Sequence, residues 1–145
     1  MRTQLNGSPA VASANDGRRG AAAVEFALVS PLLFLLCLGM LEFGRMMMVQ
    51  EIVTNAAREG GRKAILPGVT DGDVASAVDS YFATCGISGH TISVLPSTTS
   101  AAAGTPIKVT ASVPYNNVSW LPIGNLKWLQ GKSVTAAVEM RKEEY

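Results

Sequence analysis

A single carboxylate, Glu25, lies near the start of a long apolar stretch that runs from Ala21 to Leu41. A charged side chain at the centre of a membrane costs about 2.5–3.5 kcal/mol, and less near the membrane edge. Nine leucine and phenylalanine residues between Phe26 and Leu41 each favour insertion by about 0.3–0.6 kcal/mol, so the stretch should insert in spite of Glu25. A carboxylate placed within a membrane segment indicates a function for that charge.

The apolar stretch itself has the length of a membrane-spanning helix. About twenty residues at a rise of 1.5 Å each cross the hydrocarbon core of a bilayer. No clear helix stop follows Leu41, and good helix formers continue to Lys63, so we expect the helix to extend well past the membrane. Pro31 removes one backbone hydrogen bond, and we expect it to bend the helix without ending it.

Other kinds of chemistry have little support in the sequence. His90 is the only histidine, and the sequence contains no CxxC or HExxH motif and no phosphate-binding glycine loop. The net charge of +1 implies no polyanionic partner, and no basic aromatic patch is present. We therefore expect a protein that is not an enzyme, that needs no metal or other cofactor and that binds no nucleic acid.

Three interpretations of the segment from Arg18 to Leu41 compete. A cleaved secretory signal peptide needs an apolar core of about 7–15 residues followed by a small-residue cleavage site. The stretch here is at the upper edge of that length or longer, and LGMLEFG after it is a poor cleavage site. The second interpretation is an uncleaved signal anchor, which has no use for Glu25. The third is a leader that is cut before the apolar stretch, after Gly20.

Cleavage after Gly20 would make Ala21 the first residue and would give Glu25 a defined role. A free α-amine at Ala21 is positively charged at neutral pH, and Glu25 lies about one helical turn away. In a filament of staggered copies, Glu25 of one subunit would neutralise the amine of the next. Because two uncompensated charges in an apolar filament core are costly, this pairing would set the stagger.

These residues also carry a family resemblance. Gly20 followed by AAAVEF resembles the cleavage site of Flp/Tad-type prepilins, and VEFALVSPLLFLLCLGMLEFGR with NAAREGGRKA resembles the TadE family of minor pilins or pseudopilins. The resemblance implies that a membrane prepilin peptidase cuts between Gly20 and Ala21. It also implies that Glu25 is the assembly carboxylate, with Phe26 and Pro31 in the adjoining motif. Major Flp pilins have tyrosine where Phe26 stands, which favours a minor component.

The resemblance further implies a function and a set of partners. The mature protein would be a minor pilin-like or pseudopilin-like assembly component of a Flp (tight adherence) pilus, a cell-adhesion structure, and of its secretion apparatus. Its partners would be the membrane lipid bilayer, the prepilin peptidase, other pilin-like subunits and the Tad assembly machinery. The alternative is an uncleaved, signal-anchored periplasmic module that binds a ligand or another envelope component.

The first residues predict the orientation in the membrane. Residues 1–20 are mostly polar and have no helical or strand period, so their composition predicts a disordered leader. Arg2, Arg18 and Arg19 oppose only Asp16, and the positive-inside rule then places this end in the cytoplasm. We expect a single-pass protein of the inner (cytoplasmic) membrane with a periplasmic C-terminal domain.

The whole chain is expected to have an α+β fold, with a cytoplasmic leader at 1–20, a transmembrane and extended helix at 21–66 and a small periplasmic domain at 67–145. Gly60 and Gly61 are the first plausible stop of the long helix, and Pro67-Gly68 is the firm one. The apolar positions of the extended part fall at helical spacing and should complete the core of the domain by lying across its sheet: Met46, Met48, Val49, Ile52, Val53, Ala56 and Ala57. Within the same helix, Glu42 and Arg45 are three residues apart and can pair.

The C-terminal domain is predicted to contain one short helix and about three antiparallel strands. The helix should be capped by Thr70 or Asp71 and run to about Thr84. Alternating apolar residues predict strands at 90–95, 106–113 and 132–140, with a flexible loop at 97–104 and a solvated tail from Arg141.

The connection between the second and third strands contains Trp120, Leu121 and Trp128. Such apolar side chains either close the open end of the core or form an exposed patch for a partner or the membrane surface. We favour closure of the core and keep the patch as the alternative.

Overall fold

The computed structural model describes residues 14–120 and 131–143. The chain divides into two compact units, Met1–Met40 and Leu41–Tyr145. The described part of the first unit is helical throughout, whereas the second unit also contains a sheet and a second helix. The layout of a long helix, a short helix and an antiparallel sheet confirms the predicted α+β class.

The long helix α1 spans Ala14–Ala64 and continues through Pro31. Every leucine and phenylalanine from Phe26 to Leu41 is exposed, as expected for side chains that face lipid. Within the described ranges, one helix is long and apolar enough to cross a membrane, and it lies within Arg18–Ala64. The fold is therefore that of a single-pass membrane anchor followed by a C-terminal domain.

The start of α1 differs from the expectation. Composition predicts disorder over residues 1–20, but the helix begins at Ala14, so the prediction is wrong for residues 14–20. A helix is costly to nucleate and cheap to extend. Once the apolar stretch is helical, it carries the helix back into the polar residues before it.

Helix α2 spans Asp71–Thr84, as its cap and apolar positions predict. The Thr70 side chain accepts a hydrogen bond from the Asp73 N–H, and the Asp73 carboxylate accepts one from the Thr70 N–H, which completes a capping box. Its buried face consists of Val74, Val78 and Phe82.

The sheet consists of β1 (Thr91–Leu95), β2 (Pro106–Pro114) and β3 (Ser133–Arg141) in the order β1-β2-β3, with both pairings antiparallel. Alternate residues of the central strand are fully buried: Ile107, Val109, Ala111 and Val113. Register places Val94 and Val138 on either side of Val109. The three strands predicted from alternating apolar residues are confirmed, and a short 3-10 turn at Tyr115–Asn117 follows β2.

The second part of α1 supplies one side of the core, as predicted. Val49, Val53, Ala56 and Ala57 are fully buried and share one core cluster with residues of α2 and the sheet. Met48, which the helical spacing placed on this face, is instead 55% exposed. Packing against this helix buries one face of the three-stranded sheet. An isolated sheet of this size would have no such buried face.

Gly60 and Gly61 do not end α1, so the prediction of a helix stop at these residues is wrong. Both are buried inside the helix. A Cβ atom added at Gly60 would lie 2.6 Å from Val78 Cγ2 and 3.0 Å from Val109 Cγ1. The absence of a side chain therefore lets α1 approach α2 and β2 closely. The helix ends at Ala64, before Pro67.

The connection before β2 and the residues after β3 are held more firmly than their composition predicts. The Thr98 N–H and hydroxyl both donate to Asp71 Oδ1 at 2.7 Å. Lys142 Nζ donates to the carbonyl oxygens of Thr98 and Ala101 at 2.7 and 2.8 Å. Within the predicted solvated tail, Lys142 therefore points back to the fold, whereas Arg141 and Glu143 on either side of it are exposed as predicted.

Candidate functional site

The residues predicted to direct processing and assembly lie on α1 in the first unit. Gly20, Ala21, Glu25, Phe26 and Pro31 are all exposed. A Cβ atom added at Gly20 would meet nothing within 4 Å. Helix geometry places Glu25 about 6 Å along the axis from Ala21. The structure thus displays these side chains on a helix surface, and their roles in processing and assembly stay predictions.

A second group of side chains joins the residues of α1 that directly follow the apolar stretch to the segment after β2. We call it the exit cluster; it comprises Glu42, Arg45, Tyr115, Val118 and Trp120. Glu42 is only 8% exposed, although the apolar side chain before it, Leu41, is 60% exposed. The Tyr115 hydroxyl donates a hydrogen bond of 2.6 Å to Glu42 Oε1, a length typical of a hydroxyl that binds a carboxylate.

Tyr115 is buried along with the carboxylate that it binds. Burial raises the pKa of the Tyr115 hydroxyl, and the hydrogen bond to Glu42 raises it further, against a smaller lowering by the Ser119 hydroxyl. The phenol is therefore protonated at neutral pH and acts as the donor. The hydrogen bond ties α1 to the turn after β2, across 73 positions of sequence.

Arg45 binds the same segment one helical turn later. Its Nε donates to the Val118 carbonyl oxygen at 3.1 Å. Its guanidinium carbon lies 5.2 Å from the centroid of the Trp120 ring, in the range of a cation–π contact. Glu42 and Arg45 thus both bind the segment after β2, which their spacing along the helix did not indicate.

Trp120 is 70% exposed, so the prediction that it closes the core is wrong. Its exposure agrees with the alternative of a surface patch. Leu121 and Trp128, the other predicted members of that patch, lie outside the described residues. The buried pair of Glu42 and Tyr115 was missed from the sequence; the only signal was a carboxylate placed directly after an apolar stretch.

His90 makes a structural pair. Its Nε2 lies 2.6 Å from Asp79 Oδ1, and its ring stacks on Phe82 with centroids 4.2 Å apart. These contacts bind the residue just before β1 to α2. Across residues 14–120 and 131–143, no group of three or more histidine, cysteine, aspartate or glutamate side chains is arranged to hold a metal ion.

Replacing Tyr115 with phenylalanine should destabilise the second unit by about 1–3 kcal/mol, because it removes a buried hydrogen bond to a charged carboxylate. Thermal unfolding of the detergent-solubilised full-length protein, followed by circular dichroism, measures the change. Tyr81→Phe is the matched control, because Tyr81 is half-buried and its hydroxyl takes part in no hydrogen bond among the described residues. Equal unfolding temperatures for the two variants would contradict a stabilising role for the Tyr115 hydroxyl.

Comparison with known proteins adds one finding to this geometry. Neither the curated proteins nor the solved structures contain a match to this chain. The family model described as TadE-like protein matches residues 20–62, which is less than a third of the chain. The matched segment contains the exposed residues around Glu25 together with Glu42 and Arg45 of the exit cluster. The chain thus carries a TadE-like segment, which confirms the resemblance to the TadE-like family.

Proposed function

We propose that this chain is a minor pilin-like or pseudopilin-like assembly component of a Flp (tight adherence) pilus and secretion apparatus. The observation that carries the proposal is the TadE-like match, which begins at Gly20 and includes Glu25 on a helix able to span a membrane. At a coarser level, the match indicates a component associated with a Tad pilus. Because the TadE-like family is structural, the proposed work is assembly rather than catalysis.

The proposed processing step is hydrolysis of the Gly20–Ala21 peptide bond by a membrane prepilin peptidase. This bond lies within α1, so the helix has to unwind locally before a peptidase can bind an extended backbone. Glycine favours that unwinding, because it is about 1 kcal/mol less favourable than alanine in a helix interior. The exposure of Gly20 supports access to the bond. Arg18 and Arg19, just before it, support a cytoplasmic location.

The proposed assembly step follows from the new N-terminus. Cleavage creates a positive amine at Ala21, about one helical turn from the Glu25 carboxylate. When copies or related subunits pack side by side, Glu25 of one neutralises the amine of the next and sets their axial stagger. The exposure of Glu25 in the single chain supports a partner outside the chain.

The mature N-terminus is the most direct test. The protein extracted from the membranes of its native host should begin at Ala21, as read by N-terminal sequencing and by intact mass. A protein that still begins at Met1 or Arg2 while it is active would contradict processing. That result would support the alternative of an uncleaved, signal-anchored periplasmic module.

A matched pair of glycine variants separates a cleavage defect from a general defect in the helix. Gly20→Leu should accumulate as the precursor, because the larger side chain stabilises the helix and alters the residue at the cut. Gly39→Leu places the same side chain at a position that is equally open on α1, and it should be processed normally.

A further inference from the structure

The exit cluster leaves an apolar and cationic surface next to the end of the membrane-spanning stretch. Trp120 is 70% exposed, and the Arg45 guanidinium covers one face of its ring. Met48, 55% exposed, lies beside Arg45, with 3.9 Å between Met48 Sδ and Arg45 Nη1. Phe43 and Met47 are also more than half exposed on the same stretch of α1. The domain core therefore leaves several large apolar side chains uncovered at this level.

Chain distance places this surface at the depth of the lipid headgroups. Arg45 follows Leu41, the end of the apolar stretch, by four residues, or about 6 Å along a helix. The headgroup region of a bilayer extends about 5–8 Å beyond the hydrocarbon core on each side. The contacts of Arg45 with Val118 and Trp120 hold the indole near this residue. Tryptophan is enriched at this depth in membrane proteins.

The charges of the exit cluster favour contact of its surface with the phosphate groups of lipids. Glu42, the acidic residue nearest to the end of the apolar stretch, is buried and bound by Tyr115. Its carboxylate is therefore withdrawn from the surface, whereas Arg45 as a whole is half-exposed. A guanidinium binds phosphate oxygens with its fork of N–H donors, and an indole presents an apolar body with one N–H donor.

We propose that Trp120 and Arg45 form an interfacial anchor, which seats the C-terminal domain on the lipid headgroups of the membrane that α1 spans. The Tyr115–Glu42 and Arg45–Val118 hydrogen bonds position the anchor by fixing the turn after β2 on α1. The occupant is the phosphate-bearing surface of the bilayer. This inference rests on the membrane anchoring within the proposed function, but not on cleavage or on the pairing of Glu25.

Depth-dependent quenching of tryptophan fluorescence tests the anchor. The chain has two tryptophans, so Trp128→Phe leaves Trp120 as the sole fluorophore and Trp120→Phe serves as the matched control. The full-length protein is reconstituted in vesicles of phosphatidylcholine and phosphatidylglycerol, some with brominated acyl chains. Bromines close to the headgroup should quench the fluorescence of Trp120 at least about twice as strongly as bromines at the bilayer centre, as expected for an indole at interfacial depth. Iodide in the water should quench it weakly.

A second measurement keeps both tryptophans in place. Nitroxide labels are attached through Asn116→Cys, in the turn next to the anchor, and through Lys108→Cys, near the start of β2, with both native cysteines replaced by serine. Both positions are exposed. Molecular oxygen, which is apolar, should reach the label at position 116 more readily than a water-soluble relaxing agent does. At position 108, the water-soluble agent should reach the label more readily than oxygen does.

A fluorophore on Cys37, within the apolar stretch, reports insertion independently in a Cys85→Ser background. If Cys37 lies in lipid while Trp120 is quenched freely by iodide and not by brominated lipid, the anchor is refuted. The proposed function then stands, and the patch belongs to a protein partner. If Cys37 also fails to reach lipid, both the anchor and the membrane part of the proposed function are refuted.

Discussion

Replacing Glu25 with alanine should abolish incorporation of the protein into pilus-like assemblies while membrane insertion is unchanged. The carboxylate opposes insertion by up to about 2.5–3.5 kcal/mol, so its removal cannot weaken the membrane anchor. In the proposed assembly, its removal leaves the amine that cleavage would create at Ala21 without a partner in an apolar surrounding. Breaking a buried ion pair in this way costs about 3–5 kcal/mol, or roughly a hundredfold to several thousandfold in the contact between subunits.

The measurement pairs sheared pilus fractions from the native host with carbonate extraction of its membranes. Glu25→Ala should be absent from the sheared fraction and fully retained in the membrane. Glu25→Asp keeps the charge on a shorter side chain, so it should restore part of the incorporation. Glu51→Ala removes an exposed carboxylate from the same helix beyond the apolar stretch, and it should behave like the unaltered protein. Normal piliation with Glu25→Ala would refute the assembly role.

Replacing Gly60 with alanine should destabilise the second unit by about 1–2 kcal/mol. The new Cβ would lie 2.6 Å from Val78 Cγ2, on a β-branched side chain that has little freedom to move. Overpacking a core in this way costs about 1–3 kcal/mol. Alanine returns about 0.5–1 kcal/mol through its higher helix propensity, so the net effect is a loss.

Gly61→Ala is the matched control for this substitution. Its Cβ would lie 3.3 Å from Met140 Sδ and 3.4 Å from Met140 Cε, at the end of a flexible side chain that can shift. We therefore expect an unfolding temperature within about one or two degrees of the original protein for Gly61→Ala and a fall of roughly 4–15 °C for Gly60→Ala. Equal or reversed shifts in thermal unfolding by circular dichroism would contradict the close approach of α1 to α2.

Most of the secondary structure follows from local patterns. The alternation of apolar residues in the three strands and the capping residues before α2 led to elements that the structure confirms. The start of α1 could not be predicted in this way, because the polar composition of residues 14–20 favours disorder when considered by itself. The adjacent apolar helix overrides that preference, since extending an existing helix costs little.

The two parts of the candidate site differ in how well the sequence predicts them. Gly20 and Glu25 stand out because their significance depends on linear spacing from one apolar stretch. The exit cluster does not stand out, because Glu42 and Tyr115 are 73 positions apart and neither residue alone indicates a hydrogen bond. For the same reason, a polar residue near the end of the chain such as Lys142 was expected in solvent and is found bound to two carbonyls.

Four features could be predicted from the sequence alone: the apolar stretch long enough to span a membrane, the placement of Glu25 within it, the TadE-like resemblance and the alternation of the strands. Each of these depends on residues that are close neighbours along the chain. The fold was needed to show that Gly60 continues the helix and that Glu42 is buried. It was also needed to show that Trp120 is exposed beside Arg45. These outcomes depend on which distant side chains share the same space, because packing and the burial of charge are set by contacts across the fold.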